Sequence, residues 1–183
     1  ILDPRATEAD GTECPPGQYC GEPGLQAPSG ECAAGFYCVN GSTTATPVAQ
    51  SFGSQCPTGH YCPNATAVPQ PCPAGTYNPD PMGQGPAACR PCTAGHFCGE
   101  PGLAAPSDKC FGGWYCPGGQ SAAMPSDLFC PVGHYCPRGS HAPLNCPSGL
   151  YQDKPGQFKC GVCPQGFYCD PDDKCDRALT YVP

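Results

Sequence analysis

Nineteen cysteines in a chain of 183 residues are its most reactive side chains, and their spacing offers several kinds of chemistry. Two Cys-x-x-Cys pairs, Cys89-Arg90-Pro91-Cys92 and Cys160-Gly161-Val162-Cys163, have the spacing of a redox couple or a zinc knuckle. His60, His96 and His134 recur at one motif position and could form a metal ladder. Asp170, Asp172, Asp173 and Asp176 crowd the stretch CDPDDKCD, where hard oxygen ligands could hold calcium. Asn40-Gly41-Ser42 and Asn64-Ala65-Thr66 are acceptor triplets for N-linked sugar, and NGSTTATP at 40–47 adds clustered hydroxyls beside Pro47.

Most of these readings give way to a plainer one. The histidine position holds Gln18, Phe36, Thr76, Trp114, Leu150 and Phe167 in the other copies of the motif, and a ligand site does not accept such a set. It reads as a semi-exposed stacking position. The Cys-x-x-Cys pairs lie 71 residues apart, with no βαβ pattern near either, and read as junctions in a disulfide chain. The acidic cluster has no counterpart elsewhere in the repeat and reads as a solvated loop. No nucleophile–base arrangement, zinc-protease helix or phosphate loop is visible, so an enzyme is not expected, nor a cofactor or resident metal.

Composition says what must position these residues. Leu, Ile, Val and Phe number 21, against 27 Pro and 25 Gly. A chain so poor in large aliphatics cannot offset its ordering entropy by burial, so covalent cross-links must replace a conventional core. Cysteine use at this density belongs to an oxidising, extracellular setting: secreted, cell-surface or flagellar-surface. The net charge of −7, with 15 acids against 8 bases, leaves no basic patch for nucleic acid. No apolar run is long enough to span a membrane. The chain opens on ILDPRATEAD without a Met, which suggests processing or excision from something longer.

The repeat unit is Cys-x-x-Gly-x-aromatic-Cys. It reads CPPGQYC at 14, CAAGFYC at 32, CPTGHYC at 56, CTAGHFC at 92, CFGGWYC at 110, CPVGHYC at 130 and CPQGFYC at 163. Two copies, CPAGTYN at 72 and CPSGLYQ at 146, lack the closing cysteine. A longer period is visible too, because CGEPGLQAPSGEC at 20–32 returns as CGEPGLAAPSDKC at 98–110. The expected organisation is a lead-in at 1–13, a four-module repeat at 14–91, a second at 92–162, and the start of a third at 163–183. The glycine suits a position that needs positive φ or close backbone approach. The aromatic supplies the module's one large apolar surface on a short strand, and the Pro/Gly/Ser/Asn-rich linkers read as loops. The fold class expected is small and disulfide-rich, mostly irregular with short β-strands and little helix. Its modules of about twenty residues would be arrayed as a solenoid or rod.

Two pairing schemes remain open. A local scheme joins each opener to its own closer: Cys14–Cys20, Cys32–Cys38, Cys56–Cys62, Cys92–Cys98, Cys110–Cys116, Cys130–Cys136 and Cys163–Cys169, with Cys72–Cys89 and Cys146–Cys160 in the open modules. Its rival joins each closer to the next opener, such as Cys20–Cys32 and Cys62–Cys72. The local scheme is favoured. It leaves Cys175 over, aligned with the opener Cys32 and awaiting a partner outside this segment or on another chain.

The run CPTGHYCP…PCPAGTY resembles the ephrin-receptor-like cysteine-rich repeat, and its Cys-Pro-x-Gly-x-Tyr openings are similar to those of tumour-necrosis-factor-receptor modules. The resemblance covers residues 14 to 175. It implies that an opener pairs with a later cysteine before the next Cys-x-x-Cys, a pattern that Cys72–Cys89 and Cys146–Cys160 fit. Long uninterrupted arrays also resemble the shaft glycoproteins of mastigonemes, the hair-like filaments on algal flagella. That likeness implies a glycosylated, self-assembling structural subunit, with sugar at Asn40 and Asn64 and with copies of itself or other filament glycoproteins as partners. A receptor-like ectodomain that binds a protein or glycan is the alternative. The closed seven-residue motifs depart from the receptor pattern.

Overall fold

The computed structural model describes residues 13–48 and 50–169, with Tyr168 by backbone alone, and the backbone of 175–177. Two compact units are present: Ile1–Arg90 with Glu100–Ala105, and Pro91–Gly99 with Pro106–Pro183. We number the modules 1 to 9 by their openers, from Cys14 to Cys163.

Each short motif but that of module 6 folds into a turn followed by a two- or three-residue strand, because Gly ends the turn and the two residues that follow, the second of them aromatic, are extended. The strands pair in antiparallel hairpins: β1 (Gln18–Tyr19) with β2 (Gly30–Glu31), β3 (Phe36–Cys38) with β4 (Gly53–Gln55), and β5 (His60–Tyr61) with β6 (Gln70–Pro71). The pattern goes on with β7 (Thr76–Tyr77) and β8 (Arg90–Pro91), and then with β9 (His96–Phe97) and β10 (Asp108–Lys109). Next come β11 (His134–Tyr135) with β12 (Leu144–Asn145), β13 (Leu150–Tyr151) with β14 (Gly161–Val162), and β15 (Phe167–Cys169) with β16 (Cys175–Arg177). Module 6 makes no hairpin, only two isolated bridges: Trp114 to Phe129 within it, and Gln120 to Phe97 of module 5. One turn of 3₁₀ helix, Pro86–Ala88, is the only helix among the described residues.

The protein is therefore disulfide-rich, nearly all short strand and irregular backbone. The solenoid is corrected. Every sheet among the described residues stops at two strands, so no sheet runs on from module to module. The physical reason is strand length: two residues offer one ladder rung on one side only, and the linkers that follow turn away at Pro and Gly.

The core is made of sulfur. Fifteen cysteines are buried, and no Leu, Ile, Val, Met or aromatic side chain among the described residues is buried with them. In modules 1 to 7 opener, glycine and closing residue are buried at i, i+3 and i+6, as at Cys14, Gly17 and Cys20, while the aromatic between is half-buried. Tyr19 and Phe97 lie over Gly30 and Gly99, so the ring caps its own hairpin instead of entering a shared core.

Modules connect through backbone. The motif glycine N–H donates to the carbonyl of the next module's closing residue: Gly17 to Cys38 at 2.8 Å, Gly35 to Cys62 at 2.8 Å, and Gly59 to Asn78 at 2.7 Å. In the second unit Gly95 donates to Cys116, Gly113 to Cys136 and Gly133 to Gln152. The same glycine's carbonyl accepts from the next opener, as from Cys32 to Gly17 and from Cys56 to Gly35. The closing residue's N–H donates to the linker beyond the next module, as from Cys20 to Ser42 and from Cys38 to Thr66. A linker N–H returns to the opener, as from Gly41 to Cys14 and from Ala65 to Cys32.

Gly59 shows why this position cannot carry a side chain. Its φ is +78°, and a Cβ there would lie 2.0 Å from the carbonyl oxygen of Gly102. Left-handed φ alone costs an L-residue roughly 1–2 kcal/mol, and a clash against backbone cannot be relieved by a rotamer change. Gly149 has φ +81° but nothing within 4 Å, so it separates the two effects. Gly85 is extended at φ −173° with open space around it, and is a neutral control. Replacement by Ala is expected to cost roughly 2–5 kcal/mol at Gly59, about 1–2 kcal/mol at Gly149, and close to nothing at Gly85, in denaturant unfolding with disulfides intact. Equal losses at Gly59 and Gly149 would show that close approach plays no part.

Candidate functional site

The residues singled out in the sequence fall into four groups, and the structure treats them differently. Eighteen cysteines form nine disulfides. Seven join an opener to its closer six residues on: Cys14–Cys20, Cys32–Cys38, Cys56–Cys62, Cys92–Cys98, Cys110–Cys116, Cys130–Cys136 and Cys163–Cys169. Cys72–Cys89 and Cys146–Cys160 span 17 and 14 residues. Both Cys-x-x-Cys pairs are thus divided between bridges: Cys89 and Cys92 belong to different disulfides, as do Cys160 and Cys163.

Cys175 stands apart. In six hairpins the residue before the aromatic pairs with the residue just before the next opener, as Gln18 with Glu31 and His60 with Pro71. In β15–β16 that place is held by Arg177, opposite Phe167, and Cys175 lies opposite Cys169. By register Cys175 does not occupy an opener's position, which corrects its alignment with Cys32.

Asn78 fills the place of the missing closer in module 4. It is 1% exposed, the largest polar side chain buried to this degree. Its Nδ2 donates to the His60 carbonyl at 2.9 Å, and its Oδ1 accepts from the Asp80 N–H at 3.2 Å. Gln152 does the same in module 8, donating to Lys159 O at 2.8 Å and accepting from Lys154 N–H at 3.1 Å. In the sequence these positions stand out as two missing cysteines rather than as two matched amides. The signal was there: both replacements are carboxamides, and a carboxamide can both donate and accept where a half-disulfide cannot. An Asn78→Ala variant is expected to lose roughly 1–3 kcal/mol, because it leaves the His60 carbonyl and the Asp80 N–H without their side-chain partner. The more exposed Gln152→Ala should lose less, by thermal unfolding of the oxidised proteins.

The three histidines do not meet. His60, His96 and His134 each turn Nδ1 to the carbonyl two residues back, Thr58, Ala94 and Val132, at 3.0, 3.3 and 3.0 Å. A carbonyl only accepts, so Nδ1 carries the proton. Among the described residues no three His, Cys, Asp or Glu side chains come together as a metal site. Asp170, Asp172 and Asp173 lie outside the described residues, and Asp176 is placed on β16 by backbone alone.

Exposed ion pairs Arg90–Asp80 and Arg138–Asp108 fasten loops within each unit. The Lys109 backbone N–H, with Arg138 beside it, holds the Asp108 carboxyl below its ordinary value. That contribution is in place at neutral pH and fades as pH falls through the lowered value.

The acceptor triplets are the remaining candidate sites. Asn40 and Asn64 are both exposed. Asn64 is held, its Oδ1 accepting from the Ala34 N–H at 2.9 Å, which leaves Nδ2 for a sugar. The hydroxyls that complete the triplets are hidden. Ser42 is 0% exposed with Oγ on Thr44 O, and Thr66 is 6% exposed with Oγ1 on Pro63 O. Recognition through those hydroxyls requires the chain to be unfolded there. In a cell-free glycosylation assay the reduced chain is expected to accept sugar at Asn40 and Asn64 and the oxidised, folded chain to accept little. Equal acceptance would contradict the burial argument.

Two surface clefts lie among the described residues. One, of 540 Å³, is lined by Glu13, Pro16, Val39, Asn40, Phe52 and Val68 among others. The other, of 630 Å³, lies in the loop Gln120–Leu128. No protein-family model matches this chain, and the curated proteins hold no significant match to it.

Proposed function

We propose that this chain is a structural segment of an extracellular glycoprotein, a repeat that builds a filament, stalk or matrix by association with copies of itself or with similar glycoproteins. The observation that carries the reading is the recurrence of one backbone bonding pattern through both units, with closers as different as cysteine, Asn78 and Gln152 serving it alike. Such a design favours mechanical continuity over a single recognition surface. Nine disulfides suit an oxidising, extracellular setting, and among the described residues no helix is long and apolar enough to cross a membrane. Exposed apolar side chains in both units, among them Val48, Val68, Phe158 and Val162, offer association surface. Glycans at Asn40 and Asn64 would limit where neighbours can pack. The likeness to ephrin-receptor-like repeats and to mastigoneme shaft proteins adds to this reading. We place catalysis outside it.

Electron microscopy of the purified, oxidised protein over a range of concentrations tests the proposal. Concentration-dependent fibres or end-to-end oligomers of constant width are expected. Monomers at every concentration, with saturable binding of one soluble protein or glycan, would move the assignment to a receptor-like ectodomain.

A further inference from the structure

The acceptor Asn40 lines the 540 Å³ cleft of the first unit, whose other walls include Val39, Phe52 and Val68. Val68 is 75% exposed, an apolar surface left facing water. Phe52 and Val39 are half-buried, so part of each remains open to the cleft. The polar lining comes from Asn40 with Glu13 and Ser51. A volume of this size suits one or two sugar rings. A pyranose presents one face of C–H groups, which packs on an aromatic ring, and an edge of hydroxyls, which needs polar partners. The cleft supplies both within reach of the atom to which a sugar would be attached. Asn64 provides an internal contrast: it is also exposed, but it does not line this cleft, and its amide is already held by Ala34.

We propose that the cleft is the seat of the chain's own N-linked glycan, with the first N-acetylglucosamine on Asn40 packed against Phe52 and Val68. This rests on the glycoprotein reading above. The sugar at Asn40 then acts as an extra piece of core for a unit whose buried apolar side chains, among the described residues, are cysteines and Pro47. The sugar at Asn64 projects into solvent and adds solubility without stability.

The test uses the full chain secreted from a glycosylating host and trimmed enzymatically to a single N-acetylglucosamine per site. An Asn64→Gln variant carries sugar at Asn40 alone, and an Asn40→Gln variant carries it at Asn64 alone. The expected result is a nuclear Overhauser contact between the Asn40 N-acetyl methyl and the Phe52 ring. A rise in Tm of about 2 °C or more over the unglycosylated chain should accompany it, absent for sugar at Asn64. Phe52→Ala, and independently Val68→Ala should the first fold poorly, is expected to abolish the rise while leaving occupancy unchanged by mass. Asn40 occupied, with neither the contact nor the rise, overturns the proposal and leaves the glycoprotein reading standing. Asn40 bare with Asn64 occupied in the secreted protein overturns the proposal alone, and both sites bare overturns the glycoprotein reading with it. Contacts to Phe52 from residues 1–12 in place of the sugar assign the cleft to the chain itself and overturn the proposal.

Discussion

Everything in this protein hangs on one backbone conformation, the left-handed glycine three residues after each opening cysteine. All nine motif glycines have φ between +78° and +94°. That turn brings opener and closer to bonding distance. In Gly17, Gly35, Gly59, Gly95, Gly113 and Gly133 it also aims the N–H at the next closer and exposes the carbonyl to the next opener. At Gly59 a backbone carbonyl sits where a side chain would start. Disulfide closure and module contact are thus two consequences of the same local geometry.

This explains how a chain with so few large aliphatics holds a defined structure. Small disulfide loops restrict the unfolded ensemble, and in the chain-entropy model each is worth about 2–3 kcal/mol. What they do not supply is order between links. Backbone hydrogen bonds supply it, and they are net stabilising by only about 0.5–1.5 kcal/mol each, so repetition matters more than strength. Asn78 and Gln152 fit this division of labour. They give up the short bridge, shift it to Cys89 and Cys160, and keep the closer's backbone role with a side-chain amide added. Among the described residues no buried polar side-chain atom lacks a partner.

Much of the fold could be read from residue types because every motif keeps its opening cysteine and its glycine, and both have chemistry that few residues share. A helix-poor, disulfide-rich architecture of short strands and irregular backbone follows from that. The connection between modules could not be read, because backbone–backbone bonds leave no side-chain signature. Hence the solenoid expectation failed. The repeat implies that neighbours touch, but not whether they share a sheet. The linker's left-handed residue was also hidden: it is Gly at 41, 102 and 139 but Ala65 and Met82 elsewhere, so no invariant letter marks it. The place of Cys175 depended on hairpin register, which spacing in sequence does not fix. At the candidate sites, Asn40 and Asn64 were legible as triplets. The burial of Ser42 and Thr66, and the cleft beside Asn40, were not, since all arise from linkers folding back on earlier modules.

The structural role proposed for the chain requires its modules to stay joined, and native-state hydrogen exchange reads this directly. The N–H groups of Gly17, Gly35, Gly59, Gly95, Gly113 and Gly133 bond across modules, whereas those of Gln18, His60 and His134 bond within their own turns, to Pro15, Pro57 and Pro131. The account predicts that the six glycine amides exchange at least as slowly as the turn amides, as one protected group. Glycine amides that exchange freely while the turn amides stay protected would mean intact links that do not hold one another, and would contradict it.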